Sequence, residues 1–397
     1  SDQLRVTNVG AGNTGTVSGQ TGLVVHNGNN PGQYNPTGIL VVPVTSGNTT
    51  TDNFYISDQS DHYAVKSGVG VIDKGFFFYA HEMVASPDPS TPNGKDHILV
   101  GLPDIEAFQL PYAGAGAANL WYETALGWLD RQADLRGHTN CLAPVAMPTK
   151  TGMITKAPVA CEQPATTGVW VKAIGSWTDQ KATATLAPIS NLPGNPTFAF
   201  DVGYKQNSWG VIGGVDFGRE GVFDPTDTGM IGLMGGYLRS NLTFNGSPTS
   251  FKYEGGTVGV SGTYMNRGFF LDGLFKADFL SLSLDMPTLA TFGASSASVD
   301  VKSLGGLGTF GYRYEWNRNY FEPMINGAYV KTTVDSFMLQ GLGINFTGGE
   351  SLRGAIGARL GSIIWEEGTN YVDASITGRV WDEFKGTKAP AAAGAES

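Results

Sequence analysis

The chain has 397 residues, with 25 Lys and Arg against 35 Asp and Glu, and a net charge of −10. That balance excludes the concentrated basic face of a nucleic-acid binder and a basic patch for attachment to anionic lipid. Charged residues make up 15% while glycines number 56 and aromatics reach 11%, a composition suited to strands and turns rather than helices.

No apolar run reaches the roughly 20 residues that a transmembrane helix needs. Barrel strands need only about 9–11 alternating residues and escape hydropathy scans, so a membrane protein of that kind stays open. The chain begins at Ser1 without a Met or an apolar leader, which reads as a mature form or a fragment.

Residues 1–110 read as short strands between Gly, Asn, Pro and Thr turns: Gly22–His26, Gly38–Val44, Asn53–Ile56, Gly75–Tyr79 and His97–Gly101. Their irregular spacing fits a small sandwich or the end of a parallel β-helix. The cluster Phe76, Phe77, Phe78 and Tyr79 suits a cap or a core plug, and ordinary core packing explains it equally.

The period changes near Ala113. Ala113-Gly-Ala-Gly-Ala117 reads as a flexible lead-in to a helix that Asn119 caps and Gly137 stops. Trp121, Ala125, Trp128, Leu129 and Leu135 share one helical face, and Glu123, Asp130, Arg131, Asp134 and Arg136 occupy much of the rest. Such a helix either packs on a sheet or threads a barrel lumen. Cys141 and Cys161 then flank a loop without a secondary-structure signal. A local disulfide across it would suit the bacterial periplasm, and two reduced thiols remain the alternative.

From Gly168 the pattern alternates with period two over about ten strands. Phe198, Phe200, Val202 and Tyr204 oppose Asp201 and Lys205, and Val211, Val215 and Phe217 oppose Asp216. Leu271, Phe275, Ala277 and Phe279 oppose Asp272, Lys276 and Asp278. Leu352, Ile356 and Leu360 oppose Arg353 and Arg359, and Asp373 and Arg379 share the polar side of the last segment. The charged face recurs on strand after strand with no later helix to cover the apolar one. That points to a barrel with lipid outside and water within.

Catalytic signatures are weak throughout. His81-Glu-Met-Val-Ala85 lacks the second His of a zinc-protease helix. Gly306-Leu-Gly-Thr-Phe-Gly311 continues as a strand instead of opening a helix. Asn93-Gly-Lys-Asp96 lacks the flanking residues of a P-loop, no Ser sits in a G-x-S-x-G elbow, and the five histidines show no ligand spacing. No catalytic centre, metal or cofactor is expected.

In this order the motifs resemble the C-terminal part of a classical (type Va, pertactin-like) autotransporter. Asp96–Gly101 resembles the close of a passenger's autochaperone region, and Trp121, Leu129, Arg131, Asp134 and Arg136 the linker-helix pattern. Gly168–Gly175 looks like a first barrel strand, Gly210–Asp216 a third, and Phe321-Glu-Pro323 and Ser351–Gly361 later ones. The implied fold is all-β: the end of a parallel β-helix, one linker α-helix, then an antiparallel up-and-down transmembrane β-barrel. The implied boundaries are 1–112 for the passenger end, 113–137 for a helix in the lumen, 138–167 for a loop, 168–386 for the barrel and 387–397 for a tail. The family pattern has twelve strands and an aromatic terminus, so about two strands and that signal are expected to be missing.

The resemblance implies an outer-membrane translocator that exports and anchors its own N-terminal passenger without enzymatic chemistry. Its partners would be outer-membrane lipid, the insertion machinery, periplasmic chaperones and its own passenger, with no nucleic acid. It implies lumen-facing roles for Asp201, Asp216, Asp272, Lys276, Arg353 and Arg359, with Arg131 and Arg136 as helix partners. Some relatives cut their own chain at a linker-helix Asn, which makes Asn119–Leu120 the candidate junction, against N-capping as the alternative. Two other readings stay open, a passive porin-like channel and a soluble β-helical carbohydrate-binding protein.

Overall fold

The computed structural model describes residues 6, 15–87, 94–139, 167–186, 192, 196–346, 348–367 and 370–386. Cys141, Cys161 and the tail from residue 387 lie outside these.

The N-terminal part contains β1 (Thr21–Leu23), β2 (Asn35–Val44), β3 (Phe54–Ile56), β4 (Tyr63–Lys66), β5 (Val69–Asp73), β6 (Phe77–Ala85) and β7 (Lys95–Pro103). Among the described residues, parallel pairing, the mark of a β-helix, is confined to β1 with β3 and to the bridges Val6–Val44 and Thr16–Asn48. The remaining strands form an antiparallel sheet in the order β2-β7-β6-β5-β4. Alternation gives this sheet two apolar faces. Ile56, Ile72 and Leu99 cluster on one, and Val71, Phe78, Ala80, Ile98 and Val100 on the other.

Asp104 caps a short helix, α1 (Ile105–Gln109), by accepting from the Ile105 amide. The long helix α2 spans Tyr112–Thr139. Its start lies one residue before the expected boundary at 113, so Ala113–Ala117 are helical instead of a flexible lead-in, and Asn119 lies inside the helix instead of capping it. Helix α2 also runs through Gly137, because glycine inside a helix costs only about 1 kcal/mol.

Next come β8 (Thr167–Gln180), β9 (Thr183–Thr185), β10 (Ala199–Asp201), β11 (Tyr204–Glu220), β12 (Asp227–Phe244), β13 (Ser250–Asn266) and β14 (Phe269–Asp285). They are followed by β15 (Ser296–Tyr312), β16 (Tyr314–Trp316), β17 (Asn319–Val334), β18 (Phe337–Leu339), β19 (Leu342–Ile344), β20 (Gly349–Glu367) and β21 (Asn370–Gly386). The large sheet follows β21-β20-β17-β15-β14-β13-β12-β11-β8, with β16 continuing β15 beside β17. Among the described residues it therefore holds nine long strands and one short extension. All its pairings are antiparallel, and among the described residues β8 and β21 form its two edges. A 17-residue strand tilted as in a barrel rises roughly 40 Å, more than a hydrocarbon core of about 30 Å.

The connections differ at the two ends. Arg267 and Gly268 both take positive φ in a two-residue hairpin, as a type I′ turn requires, and Asn317–Arg318 makes another tight link. At the opposite end the connections from β8 to β11, from β14 to β15 and from β17 to β20 are longer. They carry the β9–β10 hairpin, a 3₁₀ turn at Pro287–Phe292 and the β18–β19 hairpin.

The outer wall is apolar: Val171, Ile231, Leu233, Phe275, Ile325, Ile356 and Ile376 are all exposed. The inner wall carries buried Ser208, Ser240, Thr257, Asp272, Lys276, Asp278, Thr309 and Glu322. A soluble sheet would show the opposite distribution.

One stretch of the expected ladder faces the other way. Tyr204 opens β11 on the inner face, and Lys205 points outward. The β9–β10 register runs on into β8–β11 without a slip, so Phe198, Phe200, Val202 and Tyr204 do share one side and Asp201 and Lys205 the other, but the aromatic side is the covered one. Asp201 therefore does not face the lumen. It is an exposed residue of β10, which pairs with β9 outside the large sheet, and its Oδ1 accepts from the Gly203 amide at 2.9 Å.

Candidate functional site

The curled sheet surrounds α2, which packs against β8, β11, β12, β13, β14, β15, β17 and β20. Trp121, Ala125 and Trp128 are wholly buried. The lumen has two zones, apolar toward the long loops and charged toward the short turns.

In the apolar zone the small residues at the start of α2 allow close approach. Tyr253 donates from its hydroxyl to the Ala113 carbonyl at 2.9 Å, and a Cβ on Gly116 would collide with the Tyr253 ring. The expected flexible lead-in is thus a packed first turn, because glycine and alanine leave room for the wall. Gln206 Nε2 donates to the Gly116 carbonyl at 2.9 Å. Asn119 Nδ2 donates to the Tyr204 hydroxyl at 3.1 Å and to Gln206 Oε1 at 3.3 Å. Leu120 beside it is buried.

Trp121 stands between the zones. Its Nε1 donates to the Lys276 carbonyl at 3.2 Å, and the Lys276 ammonium lies 4.9 Å from its ring. That ammonium pairs with Asp278 at 2.6 Å, with both side chains fully buried. On the facing strand, Gly305 carries no side chain where a Cβ would come within 2.8 Å of the Trp121 ring.

Below Trp121 charges on α2 meet charges on the wall. Arg131 pairs with Asp216 and lies 4.9 Å from the Trp170 ring. Asp134 accepts from Arg359 at 2.8 Å, and Asp130 from Arg379 at 2.9 Å. Arg136 reaches Asp272 at 2.7 Å and Glu322 at 3.4 Å. Glu322 also binds Arg313 at 2.7 Å, and Thr263 donates to Asp272 at 2.9 Å. Each buried ion costs several kcal/mol to dehydrate, so continuous pairing of this kind is what keeps such a zone tolerable. Leu129 is buried in the same stretch.

Arg353 lies higher, 4.1 Å from the Tyr122 ring and 3.6 Å from Glu383. It borders a cavity of 630 Å³ between α2, β8 and the β20–β21 pair, lined also by Glu123, Ser176, Gln180 and Glu350. Of the wall residues named from sequence, Asp216 and Arg359 pair directly with α2, as does Asp272. Lys276 and Arg353 touch its aromatic rings, and Asp201 lies elsewhere. Sequence reasoning left out Glu322, Arg313, Tyr122 and Glu383. A signal for Glu322 existed, since Phe321 points outward and alternation turns its neighbour inward.

At the rim the N-terminal part meets the long loops. Thr288 donates to Glu106 at 2.6 Å, Gln109 to Ser247 at 2.8 Å, and the Lys74 ammonium lies 5.7 Å from the Phe292 ring. Burial, reinforced by neighbouring Asp104, pushes the Glu106 carboxyl up to about 7, against the opposing Thr288 bond. Among the described residues no group of three or more metal-ligating side chains occurs.

Residues 169–397, more than half of the chain, match the family model of the autotransporter beta-domain. The crystal structure of the beta domain of the Bordetella autotransporter Brka is similar at 19% identity and a TM-score of 0.42. That similarity covers 55% of this chain and 80% of the other. No curated protein matches the chain. With its inverted wall, its lumen helix and this match, the chain belongs to the autotransporter beta-domain family.

Proposed function

We infer that this chain is the outer-membrane translocator unit of an autotransporter, with α2 as a fixed plug and the N-terminal strands as the end of the exported passenger. The observation that carries the plug is the set of buried pairs joining Arg131 and Arg136 to Asp216, Asp272 and Glu322. In this reading the passenger leaves through the lumen, its end remains at the long-loop rim on the cell surface, and α2 stays behind. Lipid contacts the apolar wall, and insertion machinery and periplasmic chaperones handle the barrel before that. Deleting residues 119–136 from the full-length protein should raise single-channel conductance in planar bilayers, and unchanged conductance would remove the plug. A passive porin-like channel would need an open lumen, which the buried Trp121 and Trp128 oppose. A soluble protein would not present Val171, Ile231 and Ile356 to water.

Asn119–Leu120 is our candidate junction for passenger release. N-capping no longer accounts for Asn119, since α2 starts seven residues earlier, and Tyr204 and Gln206 hold its amide in the lumen. Intact-mass analysis of outer-membrane material tests this: an uncut junction rejects it.

A further inference from the structure

Among the described residues, one face of the N-terminal sheet is covered from outside the N-terminal part. Its opposite face is closed by upstream segments, where Val25, Ile56 and Tyr63 meet Ile72 and Leu99. On the first face β5, β6 and β7 present Val71, Phe78, Ala80, Ile98, Val100 and Leu102. The residues that bury them come from the loop between β8 and β11. Leu192 and Phe198 are themselves almost wholly buried there, with Leu186 and Phe200 beside them. The Phe78 ring lies 4.9 Å from Phe198 and 6.5 Å from Phe200, and Phe108 of α1 stacks on Phe200 at 5.6 Å. Ser67 closes the edge by donating to the Thr197 carbonyl at 3.1 Å.

We propose that the β8–β11 loop is the docking and folding partner of the passenger's terminal sheet, supplying half of that sheet's core from the barrel side. This rests on reading the N-terminal strands as exported passenger. A sheet that buries one face only loses a large part of its apolar driving force, and edge and face stay open to non-native pairing. The sheet therefore remains loose until it emerges at the rim where the loop stands, and consolidates only there. The loop sequence carries the reason for its composition: Leu186, Leu192, Phe198 and Phe200 are apolar at positions where a solvent-facing loop would be polar.

The test uses full-length protein displayed on cells, comparing wild type with Phe198→Asp and, on the sheet side, Phe78→Asp. Heat-modifiable migration reports barrel assembly, and antibody labelling of an upstream tag reports export. Protease digestion of residues 21–103 reports sheet consolidation. The expected result is assembled barrels in both variants and digestion of the sheet at least about tenfold faster than in wild type. Digestion at the wild-type rate in either variant with an assembled barrel overturns the proposal. Should Phe198→Asp block barrel assembly, Phe78→Asp alone decides, since it leaves every barrel residue unchanged. Absence of tag labelling in wild-type cells would instead reject the translocator reading, and digestion in permeabilised membranes would still judge the docking.

Discussion

Arg136 of the lumen helix and Asp272 of β14 form a hydrogen-bonded ion pair of 2.7 Å from which water is excluded on both sides. The pair is held in a run that continues through Glu322 to Arg313, and the Arg136 guanidinium also covers the Phe270 ring at 3.8 Å. A buried pair contributes little over two apolar residues, but removing one partner strands the other charge.

Arg136→Met should therefore destabilise the assembled barrel by about 3–5 kcal/mol, read as a lower temperature for loss of heat-modifiable migration. Adding Asp272→Leu to it should recover most of the loss, because no uncompensated carboxylate remains at that position. A double variant no more stable than Arg136→Met alone would show that the pair is not the determinant.

Gly116→Ala tests the close approach in the apolar zone. Alanine favours a helix by about 1 kcal/mol, yet the added carbon meets the Tyr253 ring, and overpacking typically costs 1–3 kcal/mol. Net destabilisation is expected for the single variant, and its loss should shrink when Tyr253→Phe removes the hydroxyl. The double-mutant cycle measures that coupling directly.

Two buried histidines make the N-terminal sheet sensitive to acid. His81 and His97 stack with centroids 5.0 Å apart and share a hydrogen bond of 2.9 Å, and Thr49 contacts His97 at 3.1 Å. Burial pulls both rings down to about 4, and His81 adds to the effect on His97. Their contribution is fully present above 6.5 and is lost as pH falls toward 4, where the unfolded chain binds protons that the folded rings refuse. The loss is on the order of a few kcal/mol for the pair together. Protease resistance of residues 21–103 should thus fall between pH 6.5 and 4, and His81→Gln should make that dependence shallower.

Glu106 has the opposite sign. Its carboxyl is raised to about 7, so the folded form keeps a proton that the unfolded chain has released. Its stabilisation is present below 4.5 and is lost as pH rises through 7, a change of about 3 kcal/mol. Glu106→Gln keeps an acceptor for Thr288 and should slow digestion of the docked sheet at pH 8 but not at pH 4. Equal effects at both values would place its action elsewhere.

Much of this architecture is legible along the chain. Period-two alternation places Val211 and Phe217 outside and Asp216 inside because strand side chains alternate between faces whatever lies beyond the sheet. The same rule places Phe275 against Lys276 and Leu360 against Arg359. It misassigned the sides at Tyr204: the alternation of Phe198, Phe200, Val202 and Tyr204 against Asp201 and Lys205 holds, but the aromatic side is covered by tertiary packing instead of facing lipid. Helical spacing located Trp121 and Trp128 and a boundary at residue 113, one residue from the start at Tyr112, but it offered Asn119 as a cap, because alanine and glycine carry no strong local signal and the wall decides.

What the sequence determined by itself was the inverted wall and the presence of one charged helix, since both follow from local periodicity. The partners had to come from tertiary structure. Arg136 finds Asp272 and Glu322, 136 and 186 residues away, and Phe78 finds Phe198 across the helix and the first barrel strand. Side-chain period specifies which face a residue occupies, whereas sheet curvature, register and helix rotation specify what stands opposite, and those are properties of the closed packing alone.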